Sequence, residues 1–171
     1  GRRYQKCWKE SGHGHNNVID ALRESCDTYF YQLGLELGME PINRIASMYG
    51  LGNKTGVDLP HEKSGLLMDS ITYNKRFKRL GWKWTRGQIL HLSIGQGELV
   101  TPLQMANSFA GLGNGAYLWK PHLFKALKKD GRTIESYEPS ILKEIRISKV
   151  AQEMVIQGLE EVIVAPGGTG S

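Results

Sequence analysis

The 171-residue sequence predicts a helix-rich chain with a minor β part. Two observations carry that reading. Apolar residues recur at helical spacing in several separate segments, and most of those segments open on a residue that caps helices. Extended patterns are confined to a short alternating run at 90–94 and to residues 117–147, around the turn Lys129-Asp130-Gly131.

The elements follow in order. Residues 1–16 are polar, and Gly12-His13-Gly14-His15 reads as a tight, glycine-bracketed loop. Asn17 caps a helix in which Val18, Ile19, Ala21 and Leu22 recur, ending about Glu24. Beyond Ser25-Cys26-Asp27, a second helix starts at Thr28, carries the stripe Tyr29, Phe30, Leu33 and Leu37, and ends on Gly38. A third opens after Glu40-Pro41 with proline at its first position, and carries Ile42, Ile45, Ala46 and Tyr49. Residues 50–68 hold four glycines and a proline without helical period, so they read as a long loop. Ile71 to Lys78 is a short helix. Leu90, Leu92 and Ile94 alternate into Gly95-Gln96-Gly97, which predicts a short strand meeting a turn. Thr101 caps and Pro102 starts a helix with Leu103, Ala106, Phe109 and Leu112, stopped at Gly113-Asn114-Gly115. Two extended segments then flank Lys129-Asp130-Gly131. Ser148 caps a last helix carrying Val150, Met154, Ile156, Leu159 and Val162.

Composition narrows the class. Hydrophobic content of 40% and charged content of 23% are those of a soluble globular protein. The length suits one domain with its own core, or one piece of a larger domain. Lys+Arg 22 against Asp+Glu 17 leaves +5. The basic residues cluster at Lys75, Arg76, Lys78, Arg79, Lys83 and Arg86, among Phe77, Trp82 and Trp84. Such mixing can bind nucleic acid, but one short cluster reads as a solvated helix and loop, and no nucleic-acid partner is expected. No stretch approaches the roughly 18 apolar residues that span a bilayer. The opening Gly1-Arg2-Arg3 and closing Gly167-Gly168-Thr169-Gly170-Ser171 read as cuts in a longer protein.

Ser25-Cys26-Asp27 is the most informative tripeptide: a hydroxyl and a carboxylate flank a thiol at a helix junction. Spacing alone favours a structural role, with Ser25 capping the next helix and Asp27 favouring its N-terminus through the dipole. Two strings known from serine acyltransferases also occur, Lys54-Thr55-Gly56 and Ser140-Ile141-Leu142-Lys143. An S-x-x-K nucleophile needs one helical turn between serine and lysine. Ile141, Lys143, Ile145 and Ile147 alternate like a strand instead, which points positions three apart to opposite faces. Lys54-Thr55-Gly56 lies among loop glycines rather than on a strand. Both strings read as accidental. His61, His91 and His122 lack partner spacing and read as satisfied surface or core residues, and the Trp82/Trp84 loop reads as core packing.

Taken together, the segments resemble the transpeptidase domain of class B penicillin-binding proteins, in particular the elongation-type (penicillin-binding protein 2) subfamily. Gly50-Leu51-Gly52 through Thr55-Gly56-Val57-Asp58-Leu59-Pro60 looks like the family's G-x-G-x-x-T-G-[IV]-D-L-P loop. Ser93-Ile94-Gly95-Gln96-Gly97 with Thr101-Pro102-Leu103-Gln104-Met105-Ala106 looks like its S-I-G-Q-G…T-P-L-Q-M-A stretch. Trp8 and Gly12-His13-Gly14, followed by Ser25-Cys26-Asp27-Thr28-Tyr29-Phe30-Tyr31, is similar to the segment around its second catalytic motif. The resemblance implies the α/β fold shared by penicillin-binding proteins and serine β-lactamases, with this chain mainly its helical part plus a minor β-hairpin. It implies that residues 1–171 are the central part of one transpeptidase domain. The nucleophile helix would precede Gly1, and the true K-T-G strand would follow Ser171.

What else the resemblance implies is specific. Ser25 would relay a proton between the catalytic lysine and the leaving amine. Asp27, acceptor-only as a carboxylate, would hold the lysine ammonium or a substrate N–H; elongation-type members often carry aspartate here. The parent would cross-link peptidoglycan by acyl transfer from D-Ala-D-Ala stem peptides, bind β-lactams, and work with the cell-elongation machinery. It would do so as a periplasmic domain of an inner-membrane-anchored protein. The present chain, without a nucleophile, would be inactive.

The two cysteines allow one disulfide, a shared metal or two free thiols. Cys7, His13 and Cys26 form a set of borderline-soft ligands. Some elongation-type members carry a zinc held by a Cys or Asp, a His six residues on and a Cys thirteen beyond, with a fourth ligand upstream. This spacing matches, so the resemblance implies a structural zinc on Cys7, His13 and Cys26, with His15 a possible substitute ligand. Cys26 would then point away from the cleft that Ser25 and Asp27 face. The rival reading is a small helical zinc-binding interaction module without catalysis. A permuted hydrolase built on Ser140 and Lys143 is disfavoured by the strand pattern.

Overall fold

Gly34 lets helices α2 (Asp27–Leu37) and α5 (Gln88–Ser93) meet: a Cβ there would lie 2.5 Å from the Ser93 Cβ. The computed structural model describes residues 5–170. The chain falls into two compact units, one of Gly1–Asn43, Met68–Glu98 and Ile147–Ser171, the other of Arg44–Leu67 and Leu99–Arg146.

The first unit also contains α1 (Val18–Arg23), α4 (Ser70–Arg76), a 3-10 turn at Lys78–Leu80, and α7 (Lys149–Val164). Asn17 caps α1 as expected, accepting from the Ile19 and Asp20 N–H groups. Helix α7 packs along α1, where a Cβ on Gly158 would stand 2.6 Å from Leu22 Cδ1. Ala21, Cys26, Met68, Ile89 and Leu92 are the buried apolar residues of this unit. Ile163 and Val164, by contrast, lie exposed on α7.

Residues 90–94 are corrected. The expected strand is α5, because Ile89 and Leu92, three apart, are the buried pair, and that is the spacing of a helix face. The alternation of Leu90, Leu92 and Ile94 was coincidental. Helix α3 (Met39–Met48) begins two residues before Pro41 rather than at it. Pro41 still lies in the first turn, where its missing N–H costs no helical bond.

The second unit is built on α6 (Pro102–Gly113) and four short strands, β1 (Tyr117–Trp119), β2 (Ala126–Lys129), β3 (Arg132–Ser136) and β4 (Ile141–Glu144). Thr101 and Gln104 form the capping box that starts α6. The expected pair of extended segments is two antiparallel pairs, β1–β4 and β2–β3. Asp130 and Gly131, both at positive φ, make the β2–β3 hairpin turn. Leu118 and Ile145 are buried against Gly111.

Loops in this unit are held by polar side chains. Gln104, 1% exposed, donates to the Asn53 and Ser64 carbonyls. Glu62 accepts from the Thr55 N–H and hydroxyl and from the Gly56 N–H. Lys54-Thr55-Gly56 is therefore a loop, and Ile141–Lys143 is extended, as the sequence predicts. Among the described residues, no helix is long and apolar enough to cross a membrane.

Candidate active site and metal-binding group

The junction between α1 and α2 is a Schellman turn. The Cys26 N–H bonds to the Ala21 carbonyl at 2.9 Å, and the Ser25 N–H to that of Leu22 at 3.1 Å. The pattern puts Ser25 at the position that requires a left-handed backbone, and its φ is 49°. Glycine usually fills this position because it has no Cβ. A serine held here, exposed, is backbone strain of the kind found at functional sites. Cys26 and Ala21, the two positions whose apolar contact often accompanies the motif, are both buried.

The turn thus sorts its three side chains. Ser25 is exposed, Cys26 is 5% exposed, and Asp27 opens α2 half-buried. Cys26, not Ser25, occupies the N-cap of α2, and it makes no side-chain cap bond. The structural role that spacing suggested for Ser25 is therefore corrected: a residue ending the preceding helix in left-handed conformation cannot also cap the next. Asp27 does lie in the first turn of α2.

Trp8 closes over this turn. Its indole N–H donates to the Glu24 and Ser25 carbonyls at 3.1 and 3.0 Å, and its backbone N–H donates to Asp27 Oδ2 at 3.3 Å. The Ser25 hydroxyl lies 2.6 Å from that of Thr169. Trp8, Ser25, Gly167, Gly168 and Thr169 line one open depression. Thr169 lines this depression and was missed by sequence reasoning; the glycines crowded around it after α7 were the available signal.

Charge surrounds the base of the turn. Arg23 pairs with Asp20 at 2.8 Å, Glu161 at 3.1 Å and Glu24 at 3.4 Å. Burial pushes the Glu24 carboxyl up, but hydrogen bonds from Asn16 and Arg23 and the charge of His13 outweigh it, leaving it below the usual range. Burial pushes the Tyr31 phenol up, with the negative charges of Asp27 and Cys7 adding to the shift.

On the inner side of the turn, the donor atoms of Cys7, His13 and Cys26 all lie within 4.8 Å of one another. Both cysteines are free. Cys7 Sγ is 3.5 Å from His13 Nδ1, and His13 Nε2 is buried without a partner among the described residues. Two ligands of one tetrahedral ion, at S and N bond lengths near 2.3 and 2.0 Å, stand about 3.5 Å apart. The three residues therefore fit a metal ion. His15 is exposed and outside the group.

Two other histidines have local partners, and His61 is exposed. His91 bonds Gln96, and His122 stacks on Tyr137 and bonds the Phe124 carbonyl. The basic cluster is exposed, as expected of a solvated face. Trp84 packs edge-on to Tyr73, and Trp82 lies tilted against Phe77 with 56% of its surface exposed, so both tryptophans pack but Trp82 is not core.

Known proteins resemble this chain in sequence and fold. The chain is 35% identical over 166 residues to peptidoglycan D,D-transpeptidase MrdA of Haemophilus influenzae, covering 95% of this chain and 25% of that protein. It is 33% identical over 169 residues to the Escherichia coli K12 protein of that name, covering 98% of this chain and 26% of that protein. The chain therefore spans about a quarter of the length of these curated relatives. Among solved structures, a complex of penicillin-binding protein PBP2 with MreC from Helicobacter pylori superposes with a TM-score of 0.78 at 34% identity. That match covers 99% of this chain and 30% of the other. PBP2 of Pseudomonas aeruginosa, solved with WCK 5153, gives a TM-score of 0.75 at 31% identity, covering 95% of this chain and 36% of the other. The family model of the penicillin-binding protein transpeptidase domain matches residues 2–171, and the chain belongs to that family, in its fold and in its sequence.

Proposed function

We propose that the protein carrying these residues is a peptidoglycan D,D-transpeptidase, and that Ser25 and Asp27 are the second catalytic motif of its transpeptidase domain, of which residues 1–171 are the central part. One observation carries this: a serine stands in the strained, exposed position of a Schellman turn, with its neighbour Cys26 turned inward. A purely structural turn would favour glycine there.

Ser25 accepts a proton from an ammonium and passes its own to the leaving amine, as a general acid–base relay. Its exposure lets the hydroxyl reach a substrate, and Trp8 fixes the carbonyl behind it. Asp27, anchored through Oδ2 by the Trp8 N–H, orients the ammonium that Ser25 serves. Cys7, His13 and Cys26 hold a structural zinc ion, which supplies rigidity to the turn and takes no part in proton transfer.

The substrates are D-Ala-D-Ala stem peptides, and β-lactams acylate the same enzyme. The pairing of PBP2 with MreC in the Helicobacter pylori structure supports a place in cell-elongation machinery. On this reading the domain is periplasmic and belongs to a protein anchored in the inner membrane. The extended Ile141–Glu144 segment, just after Ser140, supports a nucleophile elsewhere, because positions three apart on extended chain face opposite ways.

Labelling with a fluorescent penicillin tests the reading. The whole protein labels covalently, while residues 1–171 alone do not. Labelling of residues 1–171 alone, or its failure in the whole protein, contradicts it. The Cys-His-Cys group also suits a zinc-binding interaction module without catalysis; metal bound by a whole protein that never labels would favour that reading instead.

A further inference from the structure

We propose that Thr169 is a positioning residue for Ser25, holding the serine hydroxyl as a proton acceptor until a substrate amine takes its place. The inference rests on the reading of Ser25 as the relay serine.

Thr169 reaches the turn from 144 residues away, and three features bring it there. Helix α7 lies close along α1 at Gly158, and Glu161 bonds Arg23. Past α7 the chain doubles back: Gly167 turns at φ 82°, and the Gly170 N–H returns to the Val162 carbonyl at 2.9 Å. Thr169 is then tethered twice to one atom, the Arg23 carbonyl, by its backbone N–H at 3.2 Å and its hydroxyl at 3.4 Å.

The proton count gives this geometry a direction. A carbonyl only accepts, and the Thr169 hydroxyl proton is assigned to that of Arg23, 3.4 Å away. With that assignment, the 2.6 Å contact uses the Ser25 proton, with Thr169 Oγ1 as acceptor. The serine oxygen keeps its lone pairs for an incoming ammonium, which is the state a relay needs at the start. Thr169 occupies the place the substrate amine will take, and it neither gains nor loses a proton overall.

A merely structural role explains this less well. Both hydroxyls are exposed, where a neutral hydrogen bond adds little to stability. The backbone N–H already anchors the segment without the side chain.

The test measures single-turnover β-lactam acylation of the whole protein, separating non-covalent Kd from the acylation rate constant. T169V and T169A, which keep the backbone tether, should each lower the rate constant about tenfold or more, a fraction of what acid–base groups supply. Kd should stay within about twofold, and T169S should recover most of the rate, because it restores the hydroxyl alone. Thermal midpoints are recorded for all variants, and T169A against T169S decides the matter if the bulkier T169V unfolds. A wild-type rate in T169A, or a T169S as slow as T169A, overturns the role of Thr169. S25A separates the two claims. If S25A acylates at the wild-type rate, the relay reading beneath this inference is wrong. If S25A is slow and T169A is not, only Thr169 is misassigned.

Discussion

The Trp8 indole N–H donates to the Ser25 carbonyl at 3.0 Å, so the residue that carries the proposed relay is held from a segment 17 positions away. The same N–H reaches the Glu24 carbonyl, and the Trp8 backbone reaches Asp27. One tryptophan therefore ties together the end of α1 and the start of α2. Replacing it with phenylalanine keeps the ring and removes the shared donor. W8F should cost no more than about 1.5 kcal/mol of stability, the worth of an ordinary exposed hydrogen bond. Its acylation rate should fall several-fold, since the Ser25 backbone loses its brace. Denaturant unfolding and penicillin labelling of the same sample check both halves.

Ser25 should trade stability for function. S25G relieves the left-handed strain and should raise stability by about 0.5–1 kcal/mol. The same change removes the hydroxyl and should abolish relay-dependent acylation. A less stable S25G would mean that the turn does not strain its serine.

The three candidate ligands Cys7, His13 and Cys26 predict a coupled loss. In the whole protein, C26S, C7S or H13A should each lower zinc content, measured by elemental analysis. Chelation should lower the thermal midpoint of the wild type more than that of C26S. Equal midpoints with and without chelator would count against a metal brace. Cys26 is also core, so comparing wild type and C26S with both in chelator separates lost packing from lost metal.

Much of this was legible in the chain. Asn17, the Thr101-Pro102 pair and the Asp130-Gly131 turn each punctuate the backbone by local chemistry, and each does what its residue type predicts. Residues 90–94 failed because a two-residue alternation inside a six-residue helix is too short to reveal its period; tertiary contact with α2 at Gly34 decided it. The spacing of Cys7, His13 and Cys26 was readable and the structure brings them together. The Ser25–Thr169 contact was not readable, because it spans 144 residues and depends on α7 packing on α1.

Glu62 offers a test of the second unit. Burial pushes its carboxyl up, but hydrogen bonds from Thr55 and Gly56 and the charge of Lys54 outweigh it, so its pKa is below the ordinary 4.5. A depressed folded pKa contributes stability above the unfolded value and loses it as pH falls through the folded one. E62Q keeps one acceptor oxygen for three donors and should cost about 1–2 kcal/mol at neutral pH. The gap between wild type and E62Q should close as pH drops below 4.5. A gap that stays constant from neutral to acid would place the contribution in packing rather than charge.

The most direct test of the whole account is the single-turnover acylation rate of S25A in the whole protein, with Kd and thermal midpoint measured beside it. A relay serine predicts a rate at least about 100-fold below wild type, with binding and folding intact. An S25A enzyme that acylates as fast as wild type would contradict the central claim.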